Sequence, residues 1–254
     1  MGFDITSPAN DRIKWLIRLR DRRHRDTEGV FVVEGDRLYE RAVASGLKPT
    51  VTFVSDPSRA TPGDTVTVDP AALDRASYRS RSQGLIGVFP QFPTDLGQIV
   101  DVANPLMLVA DSIEKPGNLG AMLRTAGAAG VTAVVAIGAS VDPFNPNVVR
   151  SSTGALFRVP LAVSSWDELG PWTGEREIRI VAGSPDGEKP LWETDLSKGV
   201  AVVVGAEDVG LSDEALENAD ELVSIPQRTV EVDSLNVSVA AGILLFEAVR
   251  QRTA

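Results

Sequence analysis

The chain contains no cysteine. That excludes a disulfide framework, a thiolate zinc site, an iron–sulfur cluster and a cysteine nucleophile. Histidine is nearly absent too: among 254 residues there is one, His24. This argues against a histidine-rich metal site and against most histidine-based catalytic triads. No apolar run approaches the ~20 residues of a membrane span. The opening MGFDITSPANDR lacks the basic and apolar regions of a signal peptide. The expectation is a soluble, cytoplasmic protein with neither metal nor membrane as a partner. Internal repeats and low-complexity tracts are also missing.

What is present is enough apolar residue, 43% against 24% charged, to bury a sizeable core. The length suits two small domains. The net charge of −10 and the pI near 4.7 argue, taken whole, against nucleic acid as a partner. The distribution argues otherwise. Residues 1–95 carry 14 Lys and Arg against 13 Asp and Glu, whereas residues 96–254 carry 11 against 22. Between Asn10 and Arg25 there are seven bases (Arg12, Lys14, Arg18, Arg20, Arg22, Arg23 and Arg25) against Asp11 and Asp21 alone. A basic segment on an acidic chain is worth locating before the average is used; by itself it reads as an amphipathic surface helix whose bases are solvated.

Periodicity predicts a helix from Asp11 to about Arg25, a buried strand over Gly29–Glu34, and a helix over Asp36–Ser45 ended by Gly46. Strands are expected over Val51–Ser55, Thr65–Val68 and Gly84–Phe89. Pro90, Pro93, Gly97 and Pro105 then punctuate a linker near Phe92–Leu96, so the expected domains are 1–92 and 93–254. The second domain alternates again. Strands are predicted over Leu106–Ala110, Ala133–Ile137, Arg158–Pro160, Ile178–Ala182, Val200–Val204 and Leu222–Ile225. Helices are predicted over Leu119–Ala129, Pro146–Ser152, Ser212–Ala219 and Ser234–Arg252. Apolar runs without alternation, such as TAVVAIG and VAVVVG, suit a parallel sheet covered on both faces. The fold class is α/β.

Three clusters carry the chemistry. In the first, Asn118-Leu-Gly120-Ala-Met-Leu-Arg124, Asn118 stands as a helix N-cap and Gly120 permits close backbone approach. Arg124 follows on the same face, suited to an anion; a capped helix with one solvated arginine reads equally well. The second, Gly205-Ala-Glu207-Asp-Val-Gly210-Leu, follows a strand, the place where open α/β sheets bind ligands. It is no dinucleotide fingerprint, because Glu207 stands where glycine must admit a pyrophosphate. A cationic or donor-rich ligand fits better; an ordinary strand–helix turn is the alternative. The third is Ile225-Pro-Gln227 followed by Ser234-Leu-Asn236-Val-Ser238 and the small residues Ala240, Ala241 and Gly242. Ser234 caps the last helix in this reading, with Asn236 in its first turn.

In order and spacing the three clusters resemble the signature motifs of the SpoU (TrmH) family of RNA methyltransferases: N-x-G-x-x-x-R, G-x-E-x-x-G-L and I-P…S-L-N-V-S. The segment Arg150-Ser-Ser-Thr-Gly154-Ala-Leu-Phe-Arg-Val-Pro160 is similar to the family's stretch between the first two motifs. Residues 5–45 and Ser82-Gln83-Gly84 are similar to its N-terminal substrate-binding domain. Gln227 departs from the methionine that many members carry after Ile-Pro.

The resemblance implies an α/β trefoil-knot methyltransferase domain after a small α/β RNA-binding domain, and a homodimer formed through the knotted domain. It also implies S-adenosyl-L-methionine held by Gly205, Ile225 and Leu235, and methyl transfer to a ribose 2′-hydroxyl of RNA without a metal. Large-subunit (23S) rRNA is the expected target and tRNA the alternative. Arg124 is the family's activating residue, but a guanidinium stays protonated and is a poor base. Its expected role is therefore to orient an RNA phosphate and stabilise the developing alkoxide, with that phosphate or a water taking the proton. Asn118 and Ser234 would position the ribose or its phosphate, while Glu207 and Asn236 order the loops. Arg20, Arg22, Arg23 and Arg150 are the candidate RNA contacts. Two other classes of function compete: a non-catalytic RNA-binding protein that keeps the fold, and a nucleotide-dependent oxidoreductase, against which the missing GxGxxG argues.

Overall fold

The structure, a computed structural model, describes residues 2–59, 64–79, 81–138, 141–227 and 235–253. It divides into two compact units, Met1–Phe92 with Asp142–Phe157, and Pro93–Val141 with Arg158–Ala254. The short segment Asp142–Phe157, contiguous in sequence with the second unit, thus packs as part of the first.

In chain order the first stretch contains α1 (Asp11–Arg18), α2 (Arg22–Glu28), β1 (Val30–Glu34), α3 (Asp36–Ala44), β2 (Val51–Val54), β3 (Thr65–Thr67), α4 (Pro70–Ala76) and β4 (Leu85–Pro90). There follow β5 (Leu106–Asp111), α5 (Pro116–Ala129), β6 (Ala133–Ile137), α6 (Pro146–Ser151), β7 (Leu161–Ser164), α7 (Trp166–Gly174), β8 (Arg179–Gly183), β9 (Lys189–Pro190), β10 (Val200–Val204), α8 (Asp213–Asn218), β11 (Glu221–Ser224) and α9 (Val237–Arg252).

The first unit is built on a four-stranded sheet in the order β1-β4-β2-β3. One face is covered by α1 and α4, whose Ile13, Leu16 and Leu73 join Phe53, Ile86 and Val88 in one apolar cluster. A second core is aromatic. The Phe31 ring lies 5.1 Å from that of Phe144 and 5.9–6.0 Å from those of Phe89, Phe92 and Phe157, so the segment carrying α6 completes the hydrophobic packing of β1. An ion pair fixes the same segment. Arg25 is 1% exposed; it donates to the Leu19 and Arg20 carbonyls at 2.8 and 2.7 Å and to the carboxylate of Asp142. Arg25 is therefore a structural cation and leaves the solvent-facing basic set.

The second unit is a seven-stranded parallel sheet ordered β7-β6-β5-β10-β8-β11-β9. Met107, Val109, Val135, Ile180, Ala201 and Val203 form one cluster with Trp166 and Leu169 of α7 and Ala215 of α8. Alternation turns the other residues of these strands to the opposite face. There α9 contacts β5 and β10 and packs along α5. A Cβ on Gly242 would sit 3.4 Å from Thr125 Cγ2, so the two helices approach closely there.

Several helix ends differ from the sequence-based expectation, and local capping explains each. The basic segment is two helices rather than one, because the Asp21 side chain accepts from Arg23 N and starts a new helix. Helix α5 begins at Pro116, whose fixed φ suits the first turn, so Asn118 lies inside the helix and is not its cap. Helix α9 is capped by Asn236, which accepts from Ser238 N at 3.0 Å; Ser234 lies outside the described residues. The strand expected at Arg158–Pro160 lies at Leu161–Ser164. Helices α4 and α7 were not expected: the first opens on Pro70 and the second contains Gly170 and Pro171, residues that read as breakers. Ser212 caps α8 as expected, accepting from Ala215 N at 3.1 Å.

Replacing one member of a buried ion pair strands the other. Arg25→Met is expected to destabilise the first unit by about 3–5 kcal/mol, read as a lowered urea midpoint, with Arg25→Met/Asp142→Leu recovering part of the loss. An unchanged midpoint in the single variant would show that the pair does not hold the segment.

Candidate functional site

The parallel strands β8, β10 and β11 end side by side at Gly183, Val204 and Ser224. Beyond these ends opens a cavity of about 560 Å³, lined by the strand ends, the loop after β10, Ile225, Gln227 and the start of α9. The carboxyl edge of a parallel sheet is where such folds bind ligands, and the volume is that of a small-molecule site.

The loop is shaped by its glycines. Any Cβ on Gly205 would lie 2.3 Å from the backbone of Gly210, so only glycine fits. Ala206 and Gly210 exchange two backbone hydrogen bonds at 2.8 and 3.0 Å, and Gly210 closes the turn at φ +76°. Glu207 is thereby presented at the tip of a five-residue loop. Across from it, Ser112 at φ +54° turns the chain from β5 toward α5, with its N–H held by the Ile137 carbonyl at 3.0 Å.

Three donors from two segments converge on the Glu207 carboxylate. Asn118 Nδ2 donates to Oε1 at 2.8 Å, Asn236 Nδ2 donates to the same oxygen at 2.7 Å, and Lys115 Nζ pairs with Oε2. Asn236 is locked in turn, its Oδ1 accepting from Ser238 Oγ at 2.6 Å. The Lys115 hydrogen bond, then that of Asn118, holds the Glu207 carboxyl below its ordinary range; the same contact raises Lys115. One residue from each of the three sequence clusters or their flanks thus meets at one anionic point.

Of the residues singled out in the sequence, Asn118, Glu207 and Asn236 are brought together, and Gly205, Ile225 and Leu235 line the one cavity. Arg124 stands on α5 six residues past Asn118, about 9 Å along the helix axis. It is exposed and makes no hydrogen bond or ion pair among the described residues. Arg20, Arg22, Arg23 and Arg150 are exposed residues of the first unit. Arg22 pairs with Asp26 and Arg150 donates to Asn147. Sequence reasoning missed Lys115, whose only signal was its place in the loop before Asn118. It also missed Asp186, which lines the cavity from beyond β8. Among the described residues no group of His, Cys, Asp and Glu is placed to hold a metal ion, and no helix is long and apolar enough to cross a membrane.

The lining is chemically one-sided. It includes the carboxylates of Glu207 and Asp186 beside Val204, Leu211, Leu222 and Leu244, and among the described residues no Lys, Arg or His. A diphosphate is disfavoured there; a ligand with an apolar body and positive charge fits.

The pH behaviour of the Glu207 cluster follows from the two shifts. Glu207 is lowered from 4.5, so its contribution is complete above that value and lost as pH falls through the folded pKa. Lys115 is raised from 10.5, so its contribution is complete below that value and lost as pH rises through the folded pKa. The side-chain amide resonances of Asn118 and Asn236 should therefore hold their shifts between these limits and move only outside them. A transition near neutrality would contradict the arrangement.

Residues 105–246 match the SpoU rRNA Methylase family model, and residues 10–87 match an MRM3-like substrate binding domain. The 23S rRNA (guanosine-2′-O-)-methyltransferase RlmB of Xanthomonas axonopodis pv. citri is 35% identical over 86% of this chain and 91% of its own. An AdoMet-bound rRNA methyltransferase from Sinorhizobium meliloti superposes with a TM-score of 0.89 at 30% identity, covering 97% of both chains. The SpoU methyltransferase AviRb from Streptomyces viridochromogenes, in complex with AdoMet, does so with 0.89 at 27% identity over 96% of this chain and 98% of its own. With its motifs gathered at one sheet edge and likeness running almost end to end, the chain belongs to the SpoU rRNA methylase family.

Proposed function

We propose that this protein methylates a ribose 2′-hydroxyl of ribosomal RNA, in the large subunit, using S-adenosylmethionine. The observation that carries the reading is the cavity at the ends of β8, β10 and β11, largely apolar in its walls, with the carboxylates of Asp186 and of the Lys115-paired Glu207 and, among the described residues, no Lys, Arg or His in its lining. Gly205, Ile225 and Leu235 would hold the cofactor there. When bound, it supplies a methyl group on a positively charged sulfur. The knotted topology of the domain 93–254 is part of this reading and rests on the family resemblance.

The chain's own residues divide the remaining work. Glu207 stays anionic and fixes the first turn of α5 and the cap of α9, so Asn118 and Asn236 are held before substrate arrives, and such positioning supplies much of a transfer rate. Asn118 spends its amide on Glu207 and keeps its oxygen for the ribose. Ser234 shares that positioning role. Arg124, without a partner among the described residues and permanently cationic, orients an RNA phosphate and stabilises charge developing on the 2′-oxygen, while the phosphate or a water accepts the proton. The domain 1–92 captures RNA through Arg20, Arg22 and Arg23, with Arg150 beside them in the same compact unit, and the domain 93–254 carries the reaction. The setting is the cytoplasm, where such RNA is made and used.

A homodimer belongs to the same reading. Helix α9 is apolar almost all round, and Val239 and Phe246, seven residues apart, remain about half exposed. An apolar face of this kind needs a partner.

Labelled methyl transfer from S-adenosylmethionine to total RNA, followed by mapping, should place one 2′-O-methyl mark in large-subunit rRNA; no incorporation would overturn the proposal. Arg124→Ala should lower turnover by about 10²–10³-fold, the usual loss for one stabilising donor, with cofactor affinity nearly intact. Phe246→Glu should convert a dimer to a monomer in light scattering, and a monomeric wild type would remove the dimer from the reading.

A further inference from the structure

The first unit contains a shallow concave site of about 30 Å³ at the junction of α1, β1, α3, α4 and α6. Its floor is apolar, formed by Leu16, Leu19, Val32, Leu38 and Val149. Tyr78 forms one wall and is 40% exposed. The rim carries Arg20, Arg79 and Arg150 against one carboxylate, Glu34. Two bases that sequence reading takes from distant segments, Arg20 and Arg150, thus border one cleft.

The wall is fixed from both sides. Glu34 accepts from Ser77 Oγ at 3.0 Å and from the Tyr78 backbone N–H, which occupies both of its oxygens. Arg20 donates to the carbonyls of Arg75 and Ser77 and so holds the same strip of chain. On the other side Asn147 Nδ2 donates to the Tyr78 hydroxyl at 3.2 Å, while Asn147 Oδ1 accepts from Arg150 at 3.0 Å. These contacts use only part of the five N–H donors of each guanidinium. Arg79 is partly exposed; its backbone N–H donates to Ser77 Oγ at 3.1 Å, and among the described residues its guanidinium has no partner. An oriented aromatic ring, an apolar floor and a cationic rim are the parts of a site for an unpaired nucleotide: the base stacks and the phosphate meets the arginines.

We propose that this cleft takes one unpaired nucleotide of the RNA substrate, its base against Tyr78 and its phosphate on Arg79 and Arg150. The site acts as a specificity contact: it selects RNA that offers an unpaired nucleotide to the first unit. The proposal rests on the RNA-methyltransferase reading above and adds a recognition subsite to it.

The test is steady-state methylation of in vitro transcribed large-subunit rRNA by wild type, Tyr78→Ala, Tyr78→Phe and Arg79→Gln/Arg150→Gln, with S-adenosylmethionine affinity measured on each as a control for folding. Tyr78→Ala should raise KM for RNA about tenfold or more, the scale of a lost stacking contact, with kcat and cofactor affinity little changed. Tyr78→Phe, which keeps the ring, should restore most of the affinity. The arginine variant should raise KM and lower the salt dependence of binding. RNA substituted with 4-thiouridine should cross-link to the peptide carrying Tyr78. An active wild type whose KM is unmoved by Tyr78→Ala and by the arginine variant would overturn the subsite while leaving the enzyme reading standing. A wild type that binds cofactor but methylates no RNA would instead overturn the reading beneath it.

Discussion

Everything at the reactive edge of the second unit depends on one carboxylate accepting from three donors at once. Glu207 gathers Lys115, Asn118 and Asn236, which lie up to 121 positions apart in the chain. The pairing is open to water, with the Lys115 side chain 64% exposed, so it adds little to global stability. Its value is geometric. A helix entry, a strand-end loop and a helix cap have separate backbone requirements, and a shared anion forces them into one register. The loop that presents Glu207 can do so only because Gly205 and Gly210 let its backbone fold back on itself.

This also explains why the cofactor edge is acidic although the proposed substrate is a polyanion. The carboxylate that orders the loops already has a cation in Lys115, and the cavity offers phosphate no Lys, Arg or His among its described lining residues. The bases proposed to meet RNA are placed elsewhere, on the first unit and at Arg124. Counting charge over the whole chain hides that arrangement. Counting it over the segment Asn10–Arg25 overstates it, since Arg25 is sealed inside against Asp142.

The strands were readable in the sequence because a parallel sheet buried on both faces requires unbroken apolar runs, and Ala133–Ile137 and Val200–Val204 are such runs. Helix ends were less readable, because several residues compete for each cap. Asn236, not Ser234, closes α9, and Pro116 starts α5 two residues before Asn118. The meeting of Asn118, Glu207 and Asn236 follows from motif spacing only by resemblance; Lys115 has no motif and needed coordinates. Tyr78 was invisible for a different reason: its partners come from α6, which periodicity assigns to the other part of the chain.

That last assignment bears on how the protein can be taken apart. The aromatic core around Phe31 is finished by Phe144 and Phe157, residues that the chain delivers only after it has already entered the second sheet. The first unit therefore cannot be excised by a single cut near Phe92, nor swapped as a cassette, without leaving Phe31 facing water and Arg25 without its anion. Nascent chain emerging from the ribosome meets the same constraint: the first unit must wait, incompletely packed, until some sixty further residues have been made.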